Sequence, residues 1–301
     1  MDVMIQKLDQ LRALLRSYGS CLVAYSGGVD SVFLAGVAHE VLGDRALAVI
    51  ADSPSLPRRE LAEALELADR FEFPVRVVRT QEFDNPAYTA NPDNRCYFCK
   101  HELFTELEPI ARAEKFAVIA YGENASDVGD YRPGAQAAKE FQVRAPLKEA
   151  GLTKAEIREL SAQLGLPTAD KPQMACLSSR VPYGETVTPE KLRMIEAAEN
   201  VLRDLGFYDV RVRHHELSFQ FSVSSVQSEK LKTENLKLKT PTALARIEVG
   251  PEELKKFLEG DLPSRVAAEL KEIGYAQVTL DLQGYRRGSA NETRRTALKA
   301  D

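Results

Sequence analysis

Leu22-Val23-Ala24-Tyr25-Ser26-Gly27-Gly28-Val29-Asp30-Ser31 decides the fold, because an apolar run enters a glycine turn and the turn enters a helix from Ser31. Gly27 and Gly28 lack Cβ atoms, so the backbone there can curl around an anion. The first N–H groups of the helix, with the hydroxyls of Ser26 and Ser31, would face that anion. The spacing is not that of a Walker A loop, whose Gly-x-x-x-x-Gly-Lys-Ser/Thr pattern and lysine are missing. A glycine turn ahead of an ordinary helix is the plain alternative. The fit of every specified position, directly after the first strand, favours the phosphate-binding reading.

Outward from this loop the chain alternates. Ile5, Leu8, Leu11, Leu14 and Leu15 fall at helical spacing ahead of it, and Gly19 ends that helix. Strands are expected at Leu22–Tyr25, Ala46–Ala51, Val75–Val78 and Ala117–Tyr121. Helices are expected between them at Ser31–Leu42, Leu56–Phe71 and Tyr97–Ala113. Short strands alternating with helices imply an α/β fold class: a parallel sheet covered on both faces. Ligands of such sheets sit at the carboxyl ends of the strands. Both the glycine loop and Gly122-Glu123-Asn124-Ala125-Ser126-Asp127 fall there.

Thr153-Lys154-Ala155-Glu156 is a capping-box pattern that opens a helix to about Leu164, closed by Gly165. An irregular stretch, Leu166–Glu185, follows, and Thr188-Pro189 starts a helix to about Leu205. Strands Asp209–His214, Ala245–Val249 and Gln277–Leu282, with helices within Pro251–Ile273, have a different rhythm. The reading is a first domain over 1–185 and a smaller α/β domain over 186–288. The second carries a polar, solvated insertion at about 217–243, and a polar tail over 289–301 reads as disordered.

The chain has 301 residues, 44% hydrophobic and 28% charged, which suits a globular protein with two cores. Nothing approaches the ~18 consecutive apolar residues of a membrane span. Met1-Asp2-Val3-Met4-Ile5-Gln6-Lys7 lacks a basic then apolar leader, so a cytoplasmic protein is expected. The net charge of −5 argues against a large polyanionic partner such as tRNA, which usually demands a basic face.

Four cysteines are too few for a disulfide framework, and in a reducing compartment they are thiols. Cys21 reads as a buried structural thiol beside the first strand. Cys96 and Cys99 form a Cys-x-x-Cys pair at a helix start, where the macrodipole favours thiolate. Cys176 is distant in sequence. Spacing alone leaves several readings open: a zinc site needing a fourth ligand such as His101, a redox pair, a three-cysteine [4Fe–4S] cluster with one iron open, or unbound thiols.

The glycine loop resembles the PP-loop of the ATP pyrophosphatase superfamily, and Gly122–Asp127 resembles a Gly-Thr-Asn-Ala-Asp-Asp segment common there. Longer matches are more specific. Asn94-Arg95-Cys96-Tyr97-Phe98-Cys99-Lys100, Asp170-Lys171-Pro172, Cys176-Leu177-Ser178-Ser179-Arg180-Val181-Pro182-Tyr183-Gly184 and Arg211-Val212-Arg213-His214-His215 occur in the order seen in the LarE family. The resemblance runs from residue 4 to about 288.

That resemblance implies an ATP-dependent sulfur transferase. It would adenylylate a carboxylate of pyridinium-3,5-biscarboxylic acid mononucleotide, release pyrophosphate and insert sulfur, on the way to the nickel-pincer cofactor of lactate racemase. It implies Ser26, Gly27, Gly28, Asp30, Ser31, Gly122 and Asn124 at ATP, with Asp30 organising Mg²⁺. Ser179, Arg180, Arg211 and Arg213 are implied at the substrate. Cys96, Cys99 and Cys176 are implied as ligands of a [4Fe–4S] cluster whose open iron takes an added sulfide from an unassigned donor. Family members with only the cysteine matching Cys176 surrender its own sulfur. Trimer-based homo-oligomers, hexamers among them, are implied as well. On residues alone, Arg211 and Arg213 suit a solvated strand face, since alternate residues point one way. Neighbouring His214 and His215 face opposite ways and do not suggest a metal. The runner-up is a tRNA-thiolating PP-loop enzyme using a three-cysteine cluster. An ammonia-using synthetase leaves the cysteines unexplained.

Overall fold

A computed structural model of the chain describes residues 3–128, 132–172, 175–217 and 242–286. The expected insertion at about 217–243 falls, but for its edges, outside the described residues, as does the tail 289–301.

Helix α1 (Val3–Tyr18) buries Met4, Leu8, Leu11, Leu15 and Tyr18, the stripe its 3.6-residue period predicts. It stops at Gly19, whose φ of 74° is left-handed. Strand β1 (Cys21–Tyr25) is buried throughout, as the inner strand of a parallel sheet must be. Helix α2 (Val29–Leu42) follows, then β2 (Ala46–Asp52), α3 (Arg58–Arg70) and β3 (Val75–Arg79). Next come α4 (Pro86–Thr89), α5 (Arg95–Ala113), β4 (Val118–Tyr121), α6 (Pro133–Glu140), α7 (Pro146–Glu149) and α8 (Lys154–Gln163).

The strands align in the order β3-β2-β1-β4, all parallel. β1 shows how the sheet is covered on both faces. Its Leu22 and Ala24 join Leu47 and Val49 against Phe104, Leu107, Ala137 and Ala138 of α5 and α6. Its Val23 and Tyr25 join Ile50 against α1 and α2, through residues such as Leu11, Val32 and Phe33. Fully burying one such side chain stabilises the fold by about 1.5–3 kcal/mol, so this alternation fixes the strand's register. Cys21 is fully buried in β1, and burial pushes its thiol up to about 12.

Packing divides the chain into two compact units, Met1–Leu177 with Tyr183–Pro189, and Ser178–Pro182 with Glu190–Asp301. Within the second, α9 (Pro189–Asp204), β5 (Val210–Leu217), β6 (Thr242–Val249), α10 (Leu262–Ile273) and β7 (Tyr275–Leu280) surround a core of their own. β5 and β6 pair antiparallel, β6 and β7 parallel. Leu202, Val212, Ile247, Val266 and Leu270 meet at its centre.

The short helices α4, α6 and α7 are not anticipated by periodicity, since four to eight residues are too few to show one. Each begins at a proline in the first turn. Pro251–Leu258 is a 3₁₀ segment rather than an α-helix. Within the irregular stretch, Pro167–Asp170 and Leu177–Arg180 form 3₁₀ turns.

Candidate active site

The glycine loop closes on itself. The Ser31 hydroxyl donates to the Gly28 carbonyl at 3.0 Å and accepts the Ser26 N–H at 3.1 Å, with the Ser26 hydroxyl also 3.1 Å away. Gly28 is the N-cap of α2, and its cap makes no side-chain hydrogen bond. Gly27 has φ +70°, and a Cβ there would come within 2.7 Å of Ala64 Cβ. Conformation and space both demand glycine. Gly122, at the end of β4, lies against the start of α2, where an added Cβ would be 3.0 Å from Ser31 N and 3.1 Å from Asp30 Cβ. The expected glycine positions therefore meet at one place.

Asp30 faces Lys154, the first residue of α8, with Oδ2 2.7 Å from Nζ. Its other oxygen, Oδ1, is enclosed and has no hydrogen-bond partner among the described residues. A buried carboxylate oxygen without a donor is unfavourable unless a cation or water meets it, so the chemistry fits a hard divalent ion carried by a nucleotide. Asn124 is buried, and its Oδ1 accepts the Ser126 N–H at 2.9 Å while Asp127 caps it in return. Its side chain thus shapes the turn after β4. Asp127 pairs with Arg132 at 2.5 Å. Burial raises the Asp127 carboxyl, with Asp30 adding to the effect.

Lys154 and Arg132 are functional candidates that sequence reasoning passed over. Lys154 had a signal. A lysine in the first turn of a helix opposes the macrodipole, so its presence beside a capping box asks for a nearby anion.

The thiols occupy the same unit. Cys96 and Cys99 sit in the first turns of α5, and Cys176 lies just before the turn at Leu177. Leu177 N–H donates to the Ser55 carbonyl at 2.9 Å, which anchors the Cys176 segment to the loop after β2. Cys176 Sγ is 3.9 Å from the Arg95 guanidinium. Desolvation at the sulfur raises the Cys96 thiol, and the Cys176 charge raises it further. The Cys99 thiol is pushed up in the same way, first by burial and then by Cys176, Glu82 and Cys96. The expected macrodipole preference for thiolate is outweighed at both positions.

Among the described residues, no three His, Cys, Asp or Glu side chains converge tightly enough to hold a metal ion. The donor set is nonetheless of the right chemistry for a thiolate-ligated cluster, with three soft sulfurs in electrostatic range of one another. His101 packs on Tyr97 and Phe141, with ring centroids at 5.8 and 5.0 Å. Among the described residues it joins no metal-binding group with the thiols, as the zinc alternative would need.

In the second unit, Arg180 forms a two-pronged pair with Glu199 at 2.8 and 3.0 Å, both side chains at most 2% exposed. Arg213 does the same with Glu248 at 3.1 and 2.9 Å and reaches the Ser179 carbonyl at 2.8 Å. Ser179 Oγ accepts from Arg180 at 3.0 Å. Arg211 lies over the Tyr285 ring at 4.7 Å and donates to Val210 O at 2.6 Å. Burial lowers its basicity, and Arg180 nearby lowers it further. The face that carries Arg211 and Arg213 is therefore buried, not a solvated strand face. His214 packs against Tyr275 inside the core and His215 sits beside Arg246, so the histidine pair is divided as expected.

A parallel sheet whose first strand feeds a Ser-Gly-Gly-x-Asp-Ser loop, with the glycine just past the neighbouring strand pressed against it, defines an α/β protein of the PP-loop class. No family model matches the chain. It is 32% identical over 294 residues to the pyridinium-3,5-bisthiocarboxylic acid mononucleotide synthase of Lactiplantibacillus plantarum, covering 97% of this chain and 96% of that protein. An uncharacterised protein of Synechocystis is 43% identical over 285 residues, 95% of this chain and 97% of its own. An uncharacterised protein of Methanocaldococcus jannaschii is 26% identical over 235 residues, 76% of this chain and 90% of its own. The chain belongs to the LarE family.

No helix among the described residues is long and apolar enough to cross a membrane.

Proposed function

We propose that this chain is an ATP-dependent sulfur transferase that converts carboxylates of pyridinium-3,5-biscarboxylic acid mononucleotide to thiocarboxylates, for the nickel-pincer cofactor. Membership of the LarE family supports an enzyme of sulfur insertion into that precursor. The observation that carries the ATP step is the glycine loop with an enclosed Asp30 oxygen that has no hydrogen-bond partner among the described residues.

The loop's N–H groups and the Ser26 and Ser31 hydroxyls hold phosphates at the start of α2. Asp30 Oδ1 meets the magnesium of the nucleotide, and Lys154 turns from Asp30 toward phosphate oxygens. A substrate carboxylate oxygen attacks the α-phosphorus, the bond to the β-phosphate breaks, and pyrophosphate leaves. A carboxylate is a poor electrophile. The acyl adenylate is a mixed anhydride whose carbonyl carbon accepts sulfur, with AMP as leaving group.

Cys96, Cys99 and Cys176 are the residues that would hold a [4Fe–4S] cluster, which when bound supplies a sulfide for that attack. Ser179, Arg180, Arg211 and Arg213 recognise the substrate's phosphate and carboxylate groups. Guanidinium forks suit both groups, and Arg180 and Arg213 are each already held flat by a glutamate. The acting form is a homo-oligomer built on trimers.

The test is a multiple-turnover assay under strict anaerobiosis with ATP, the carboxylate nucleotide and sulfide, followed by mass spectrometry of product and of Cys176. Pyrophosphate release that requires the carboxylate nucleotide, with a mass gain of sulfur for oxygen, is the expected result. Turnover with ammonia to an amide would replace the reading with that of a synthetase. Full sulfur transfer by protein with no iron would remove the cluster.

A further inference from the structure

Tyr183 presents a large ring to solvent, 44% exposed, in the same compact unit as Cys96, Cys99 and Cys176. A lone exposed aromatic is ordinary on a protein surface. Its neighbours set this one apart. The phenol lies in electrostatic range of Arg95, Cys96, Cys176 and Asp93, so the ring stands beside the thiols. Other rings of this region are committed to the fold. Tyr88 is fully buried, with its hydroxyl 2.6 Å from that of Ser55. Tyr97 packs edge-on to Phe98 at 5.3 Å and donates to Glu140 at 2.9 Å.

The backbone that carries Tyr183 is anchored. Gly184 follows it with φ +84°, and its N–H donates to the Asn91 carbonyl at 3.0 Å. The Val187 N–H donates to Thr89 O at 2.9 Å. Asn91 is fully buried, and its Oδ1 accepts from Arg95 at 2.5 Å. The chain after the ring is thus tied to the segment that leads into Cys96. A tyrosine has only two side-chain torsions to fix, so a ring on a held backbone offers contact area at small entropic cost.

The chemistry of the setting selects a ligand. A phenol face is electron-rich and attracts a cation lying flat on it. The exposed Asp93 carboxylate nearby adds negative charge. Arg95 opposes a cation, but its fork is held by Asn91 on one side and lies 3.9 Å from Cys176 on the other. A planar, positively charged ring fits this face better than a neutral one.

We propose that Tyr183 stacks on the pyridinium ring of the substrate and thereby selects a cationic ring. This rests on the reading of the substrate as a pyridinium biscarboxylate nucleotide. A ring laid on that face carries its carboxylates at its rim, beside the thiols, where an activated acyl group has to meet sulfur.

Calorimetric titration of the full chain compares two probes that share ribose, phosphate and both carboxylates. One is pyridinium-3,5-biscarboxylic acid mononucleotide, and the other is its dithionite-reduced dihydropyridine form, whose ring is neutral. Wild type should bind the pyridinium form roughly tenfold tighter. Tyr183→Phe should keep that preference. Tyr183→Leu, with circular dichroism unchanged, should lose most of it by weakening the pyridinium form alone. A charge-transfer absorbance band to the red of either ring, present in wild type and lost in Tyr183→Leu, is the spectroscopic sign of stacking. Wild type that binds both forms equally overturns the proposal, as does Tyr183→Leu that keeps wild-type affinities or weakens both forms alike. Each of these leaves the substrate reading standing. Wild type that binds neither form refutes the substrate reading, and the role of Tyr183 with it.

Discussion

Lys154 Nζ lies 2.7 Å from Asp30 Oδ2, joining the first turns of α2 and α8 across 124 positions of sequence. An aspartate in a first turn is helped by the macrodipole, whereas a lysine there is opposed by it. The pair is therefore lopsided. Asp30 has an enclosed second oxygen with no donor among the described residues, and Lys154 has reason to prefer a stronger anion.

Asp30→Asn should lower pyrophosphate release at least about a hundredfold while circular dichroism stays that of wild type, because it removes the anionic oxygen that meets magnesium. Quenched-flow measurement of pyrophosphate checks this, and activity within a few-fold of wild type contradicts the assignment.

Lys154→Ala should weaken ATP binding by roughly tenfold, about 1.4 kcal/mol. Calorimetric titration with a non-hydrolysable ATP analogue reads the change directly. If affinity rises instead, Lys154 acts only as a stand-in cation for Asp30.

Gly27→Ala should cost about 1–3 kcal/mol of unfolding free energy, since φ is +70° and the new methyl would meet Ala64 Cβ at 2.7 Å. A shifted urea midpoint with unchanged slope is the signature.

Removing one member of the buried pair Arg180–Glu199 strands the other. Glu199→Gln should destabilise the second unit by about 3–5 kcal/mol, while Arg180→Met with Glu199→Leu together should cost less. Chemical denaturation of the single and double variants measures this. A single Arg180 variant is thus expected to lose stability as well as substrate affinity.

The His214 ring, 3% exposed, has its pKa lowered to about 4 by burial and, secondarily, by Lys191. In the unfolded chain it titrates near 6.5, so between about pH 4 and 6.5 the unfolded state binds the extra proton. Stability from this group is complete above pH 6.5 and declines as pH falls toward 4, by about 3 kcal/mol in all. His214→Gln should flatten that part of the stability–pH curve. An unchanged slope contradicts a neutral buried imidazole.

Much of the first unit was legible because its signals are local. Alternating strand and helix periods gave β1 to β4 and their helices within a few residues, and the glycine loop announced where ligands would sit. The thiols and arginines were legible as residues but not as arrangements. That Arg180 and Arg213 would each face a buried glutamate depends on Glu199 in α9 and Glu248 in β6, positions unremarkable in isolation. Likewise the macrodipole argument for Cys96 and Cys99 was sound in kind, yet desolvation of the sulfurs and the charge of Cys176 from a distant segment push both thiols the other way. Short helices opened by proline were missed because they complete too few turns to repeat a pattern.

Cys21, sealed in the central strand, gives the molecule an internal clock. A thiol reagent added to the native apoprotein should consume three equivalents ahead of the fourth, which reacts only as fast as the sheet opens. The slow phase then times global opening without any added probe. It separates variants that harm chemistry from those that loosen the scaffold.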